Sequence, residues 1–418
     1  MTARVWRTLR RAEYFELMAL FFVQGAALAI WFVPLSLVLD AHGLQAVKPF
    51  AFAASAVAAV VSPLVFGALA DRQVAPVRVL RWLALASAVS TALAAWSIRT
   101  GSNVGVILAL IQLVYLCSVP TWSIASAIVF SRLADAPREF GPIRAMATLG
   151  WMAGGVGVGA LGADGSTNAG FAGALTWLLV MVMTFLLPVV TPAATSAPRS
   201  WRERLGLDAL ALLRDRSHRG VFVMCALFNL AVAGFYPYAP PHLRELGFAR
   251  TSAWMSLAQV TEILAMLLLG TLLARARLKW VFVAGLTLGV LRFAFSALDT
   301  PAGLMTGVIL HGCSFTLVII TGQIYLEQRV DSGIRARAQA LMSVMNGGIG
   351  GLLGYLGAGW WFATCTAAGA TRWDVFWGGL SVAVGLVLVF FVTTYRGRLH
   401  LQRTAKSADA AQASPSDG

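Results

Sequence analysis

The chain is 418 residues long, 58% hydrophobic and only 12% charged, with a formal net charge of +14. A soluble globular domain carries about 25% charged residues, so this composition excludes an ordinary soluble enzyme and points to a membrane protein. Nor does the positive charge signal nucleic-acid binding, because it is spread over the polar connections with no aromatic-interleaved basic domain.

A bilayer core about 30 Å thick needs roughly 20 apolar residues per helix. The hydropathy pattern predicts spans near 13–38, 49–70, 79–98, 104–132, 142–162, 170–191, 220–242, 252–274, 280–298, 302–327, 338–363 and 373–395. The first follows a basic stretch and contains Ala27-Leu28-Ala29, as a signal peptide would. It continues apolar well past that point and eleven more follow, so an uncleaved span is expected. With the N-terminus inside, the outer segments hold Lys48, Arg99, Arg244, Arg250 and Arg372, and Arg292 lies within a span. The other 26 of the 32 basic residues fall on inner segments. A miscounted span would scramble that alternation from the error onward, so the bias predicts twelve helices with both ends cytoplasmic.

Between the sixth and seventh spans lies "TPAATSAPRSWRERLGLDALALLRDRSHRG". Its leucines at 205, 207, 210 and 212 intersperse with arginines, which suits a short amphipathic helix on the inner membrane surface. The expected organisation is therefore all-α: a six-helix half over 1–192, a cytoplasmic linker over 193–219, a second half over 220–396 and a disordered tail over 397–418. The halves echo each other. The fifth span opens "FGPIRAMATLGWMAGGVGVGALG" and the eleventh "SGIRARAQALMSVMNGGIGGLLGYLGAG". Gly150/Gly154, Gly155/Gly159, Gly347/Gly351 and Gly350/Gly354 have the spacing that lets helix backbones approach closely. A match offset by six spans indicates duplicated parallel halves, the architecture of a carrier that rocks around a central site.

Other motif-like features carry no chemistry. Gly157-Val-Gly-Ala-Leu-Gly162 fits G-x-G-x-x-G but ends a hydrophobic helix with no strand before it. Cys117, Cys225, Cys313 and Cys365 lie in apolar runs without metal-like spacing. No Walker loop, zinc-ligand spacing or nucleophile elbow occurs, so no metal, cofactor or enzymatic activity is expected, and uphill movement must draw on an ion gradient.

The polar residues inside the spans are the functional candidates. A charge at mid-membrane costs about 2.5–3.5 kcal/mol or more, and such residues mark ion and substrate pathways. Glu262 lies in the eighth span, Arg292 in the ninth and His311 in the tenth. Gln259 precedes Glu262 by three residues, on the same helix face. Burial favours the protonated form of a carboxyl, so Glu262 is suited to bind and release a proton as access alternates. A static Glu262–Arg292 ion pair is the competing reading. His311 suits a core residue, a solute donor or a second proton carrier, and Gln259 a solute contact or interhelical glue. In the fifth span Arg144, Thr148 and Trp151 fall on one stripe and offer a cation, a hydroxyl and an aromatic platform, although Arg144 also suits an inside-positive anchor. Tyr115, Trp122, Tyr236, Tyr238 and Phe315 add possible stacking surface for a planar ligand.

"GALADR" ending at Asp71-Arg72 resembles the loop signature of the major facilitator superfamily, where the acid and the arginine latch helices on the cytoplasmic side. "GPIRAMATLGW", "LGLDALAL", "AQVTE", "VLRFAFSA" and "GIRARAQALM", in this order and spacing, resemble the nucleoside/proton symporters within it. That resemblance implies proton-coupled nucleoside uptake at the inner membrane, with Arg144, Thr148, Trp151, Gln259, Glu262 and Phe315 around the solute. Partners would be a small solute, protons and lipid, and the expected form is a monomer. The chain also departs from the family pattern. The fifth-span aromatic is Trp rather than Phe. Ala233 and Tyr236 stand where Gln and Asn are expected, His311 where Tyr is expected, and Thr316 where an acid is expected. "ILHGCSF" instead resembles the phenylpropionate-permease branch, which makes an aromatic carboxylic acid the alternative solute, bound by Arg144 or His311.

Overall fold

The structure, a computed structural model, describes residues 12–70, 74–133, 136–189 and 200–395, without the side chains of 12, 13, 63, 66–70, 136–138 and 332. Helices form in all twelve stretches that hydropathy predicted, the fourth only to Phe130 of its expected 104–132 and the sixth only to Met183 of its expected 170–191. They are α1 (Ala12–Phe32 continued by Leu35–Ala41), α2 (Lys48–Ala70), α3 (Pro76–Arg99), α4 (Val104–Ser118 continued by Thr121–Phe130), α5 (Ala136–Ala160) and α6 (Asn168–Met183). Then come α7 (Arg216–Val232 continued by Phe235–Glu245), α8 (Thr251–Met255 continued by Leu257–Arg275), α9 (Leu278–Ser296) and α10 (Pro301–Phe315 continued to Arg329). Last are α11 (Ser332–Ser343 continued to Cys365) and α12 (Trp373–Thr394). Among the described residues nine helices are long and apolar enough to cross a membrane, and Asn168–Met183 is a shorter apolar helix.

The interruptions have local causes. Pro34 and Pro120 lack the amide hydrogen an α-helix needs, and each sits where its helix breaks and restarts. In α10 and α11 the backbone widens into π-helical turns over Thr316–Ile320 and Val344–Gly350. The second of these contains the glycine cluster. The linker differs from the expected amphipathic α-helix. A capping box of Ser200 and Glu203 starts a four-residue helix, Trp201–Arg204, and the leucine-rich part, Leu207–Arg214, winds as a 3-10 helix.

The glycine clusters do what their spacing predicts. A Cβ on Gly150 would fall on the Phe22 carbonyl oxygen and one on Gly154 against the Ala26 backbone, so this face of α5 rests directly on α1. The other face presents Gly155 and Gly159 to Ser252, Ala253 and Ser256 at the start of α8. In α11, Gly350 and Gly354 meet the backbone of α7 at Ala226 and Leu230, while Gly347 and Gly351 face Ala59 and Ala56 of α2. Thus α5 touches α1 and α8 through one pair of glycine ridges, and α11 touches α7 and α2 through the other, a correspondence offset by six helices. Where α5 ends and α8 begins, the contact is also polar. The buried Asp164 carboxylate accepts from the Thr251 hydroxyl (3.1 Å) and the Ser252 amide (2.7 Å).

The apolar core follows the same division. One cluster joins α7, α9 and α12 through Phe222, Phe228, Phe282, Phe293, Trp377 and Phe391. Two others hold α1 to α6 together, around Phe21, Leu80 and Trp177 and around Trp31, Phe52 and Ile107.

Candidate functional site

The stripe on α5 and the polar pair on α8 face each other. Arg144, Thr148 and Trp151 are half-buried. The Arg144 guanidinium lies over the Trp122 ring of α4, 3.9 Å from its centroid. Across from it, the half-buried Glu262 carboxyl is within electrostatic range of Arg144 but not in ion-pair contact. No donor among the described residues lies within hydrogen-bond distance of that carboxylate. The segment carrying it is nevertheless pinned. Thr261 donates to the Ile309 carbonyl of α10 (2.6 Å), and a Cβ on Gly312 would strike the Ala258 carbonyl and the Glu262 amide, so α10 lies flush against α8.

One turn away, Gln259 is buried and donates from Nε2 to the Tyr236 hydroxyl of α7 (3.0 Å). Tyr236 is the hub of an aromatic cluster. Its ring lies 5.1 Å from Phe32, 5.2 Å from Phe235, 6.0 Å from His311 and 6.3 Å from Trp151. Phe32 belongs to α1, so the cluster joins residues from α1, α5, α7 and α10. A cavity of about 180 Å³ opens beside Trp151 and Phe32, lined also by Ser55, Tyr115 and Ser118. The Tyr115 hydroxyl and the Trp31 indole nitrogen, both on residues lining this cavity, are buried with no hydrogen-bond partner among the described residues.

Arg292 and His311 form the deeper part. Arg292 is 1% exposed and His311 4%. The guanidinium hydrogen-bonds to His311 Nδ1 and stacks on Phe235 and Phe293, 4.5 and 4.4 Å from their centroids. The imidazole lies parallel to Phe235 (4.2 Å) and near Phe315 (5.9 Å). The static Glu262–Arg292 pair is therefore not what the structure contains, since Arg292 is engaged by a histidine and two rings instead. Asp71 and Arg72, the expected latch, lie outside the described residues.

Of the expected site residues, Gln259, Trp151 and His311 meet Tyr236 directly and Glu262 lies within electrostatic range of it; Phe315 joins through His311 and Arg144 through Glu262, with Thr148 on the stripe of Arg144 and Trp151. Sequence reasoning missed Phe32, Trp31, Phe235 and Ser55, which sit in apolar runs with nothing to distinguish them. Tyr236 was visible only as a stacking candidate and a departure from a family pattern.

The family model described as "Nucleoside H+ symporter" matches residues 12–399. The chain belongs to this family. It is 32% identical over 403 residues to the "Putative nucleoside transporter YegT" of Escherichia coli (strain K12), covering 91% of this chain and 93% of that one. It is 27% identical over 295 residues to the "Xanthosine permease" of the same organism, covering 65% and 70%. The crystal structure of the nucleoside transporter NupG superposes with a TM-score of 0.82 at 25% identity, over 92% of this chain and 99% of that one. Membership makes this symporter-family chain a multi-pass membrane transporter with a helical fold like that of NupG.

Proposed function

We propose that the chain carries nucleosides together with protons across the inner (cytoplasmic) membrane by alternating access. Two six-helix halves, 1–192 and 220–396, rock about the central site, joined by the 193–219 linker. Both termini and the 397–418 tail lie on the cytoplasmic side, where Asp71 and Arg72 act as the latch. The protein works as a monomer in contact with lipid.

The observation that carries this reading is the Glu262 carboxyl, half-buried, facing Arg144 of the opposite half and without a hydrogen-bond donor among the described residues. An ionised carboxylate in a low-dielectric site needs a counter-charge. Arg144 supplies part of it only while α5 and α8 are apposed, and a proton supplies the remainder. Movement of one half against the other is thereby tied to the occupancy of Glu262. Arg144, Thr148 and Gln259 hydrogen-bond the solute while Trp151 and Phe315 stack against its planar base, which suits a nucleoside.

The test is uptake of radiolabelled uridine by proteoliposomes under an imposed pH gradient. One proton per solute and one pH unit, about 1.4 kcal/mol, drives accumulation of about tenfold. Glu262→Gln is expected to lower that ratio to one while preserving exchange. A mutant that still concentrates uridine would remove Glu262 from the coupling step. Uptake of labelled phenylpropionate that excess uridine does not compete, with no uptake of labelled uridine, would assign an aromatic acid instead.

A further inference from the structure

The contact between Arg292 and His311 fixes more than a position. A guanidinium has five N–H donors, no acceptor, and stays protonated in proteins. The imidazole nitrogen that meets it, Nδ1, must therefore be an acceptor with its lone pair free. That excludes the imidazolium, in which both nitrogens are donors, and it excludes the tautomer protonated at Nδ1. What remains is neutral His311 with its hydrogen on Nε2.

The surroundings hold this arrangement in place. Arg292 packs against the rings of Phe235 and Phe293, and His311 lies parallel to Phe235. The polar groups near the pair are Tyr236 on α7, with Glu262 on α8 within reach of it, and the hydroxyls of Ser296 and Ser314, which donate to the Arg292 and His311 carbonyls. None of them accepts from His311 Nε2, which has no hydrogen-bond partner among the described residues although its side chain is nine-tenths buried.

We propose that Arg292 is a positioning residue that locks His311 as an obligate Nε2–H donor, and that this donor selects solutes presenting an acceptor there. This deepens the nucleoside reading and rests on it for the solute. The favoured class is nucleosides whose base carries a carbonyl oxygen, and those with an exocyclic amine at the same place are disfavoured. A donor set against a donor leaves two buried polar groups unpaired, and sites built to pair such groups discriminate strongly against analogues that cannot. His311 is then no proton carrier in this state, which leaves Glu262 to that role.

Two measurements decide it. In the full-length protein reconstituted in lipid and labelled with [15N]histidine, the His311 resonances, assigned by His311→Asn among the five histidines, should show the Nε2–H tautomer at neutral pH. Arg292→Lys, another donor-only cation, should keep that signature. Arg292→Gln, whose amide both donates and accepts, should lose it. In proteoliposomes, kcat/KM should favour uridine over cytidine and inosine over adenosine by about tenfold or more. Arg292→Lys should retain the ratio and Arg292→Gln should bring it toward one. A wild-type spectrum showing Nδ1–H or imidazolium overturns the proposal, and so does equal transport of oxo and amino nucleosides. If the wild type carries no nucleoside at all, the nucleoside reading fails and the resonances alone decide the role of Arg292.

Discussion

Gly155→Ala should pry apart the face at which the odd-numbered helices end. A methyl group at that position would sit 2.6 Å from Ser256 Oγ and 2.9 Å from the Ser252 carbonyl oxygen, below the 3.0 Å that real Cβ contacts respect. The Ser256 hydroxyl can rotate away, exchanging its contacts with the Ser252 and Met152 carbonyls. The Ser252 carbonyl belongs to the α8 backbone and cannot. Relief requires α5 and α8 to separate by roughly half an ångström, and overpacking of this kind costs about 1–3 kcal/mol. If the two helices part in the other state of the transport cycle, that state gains between about 5-fold and 150-fold in relative population. Spin labels on Leu161→Cys and Ala249→Cys, both exposed near this contact, report the separation by double electron–electron resonance. The expected result is a longer-distance population in Gly155→Ala. Gly157→Ala is the control, because nothing lies within 4 Å of a Cβ there. Identical distance distributions for Gly155→Ala and wild type would refute the claim that this backbone contact closes the face.

Asp164 reinforces the same closure by capping the start of α8. Asp164→Ala should weaken the closed face by about 0.5–2 kcal/mol, while Asp164→Asn, which keeps an oxygen acceptor, stays near wild type by the same spin-label pair. The Glu262→Gln accumulation ratio and the Arg292 specificity series described above test the site directly. Away from the site, Trp377 Nε1 donates to Nδ1 of the fully buried His242 (2.9 Å), whose Nε2 meets Asp299 (2.7 Å). Trp377→Phe strands that acceptor at a cost of about 1–3 kcal/mol. It should lower the melting temperature in detergent by several degrees without altering the uridine-to-cytidine ratio, and an unchanged melting temperature would show that this bond contributes nothing.

What was legible in the chain followed from period and charge. Arg144, Thr148 and Trp151 share a face because helical geometry puts i, i+4 and i+7 on one stripe, and Gln259 and Glu262 share theirs for the same reason. The glycine spacings predicted close backbone contact without saying with what. The partners, α1 and α8 for one cluster and α7 and α2 for the other, depend on tertiary packing that leaves no periodic trace. The competing reading of a static ion pair rested on sequence proximity. Glu262 and Arg292 lie on successive helices and invited pairing, yet α9 turns Arg292 between Phe235 and Phe293 toward His311, while Glu262 looks across to Arg144, 118 residues earlier in the chain. The physical reason is desolvation. A fully buried arginine can be accommodated by aromatic faces and a neutral acceptor, because its charge is delocalised and weakly hydrated. A carboxylate has no such substitute, and in this chain it remains half-buried. The apolar part of the central cluster, Phe32 and Phe235 above all, was invisible for the opposite reason: in a chain that is 58% hydrophobic, a phenylalanine packed against Tyr236 looks like one facing lipid until the helices are in place.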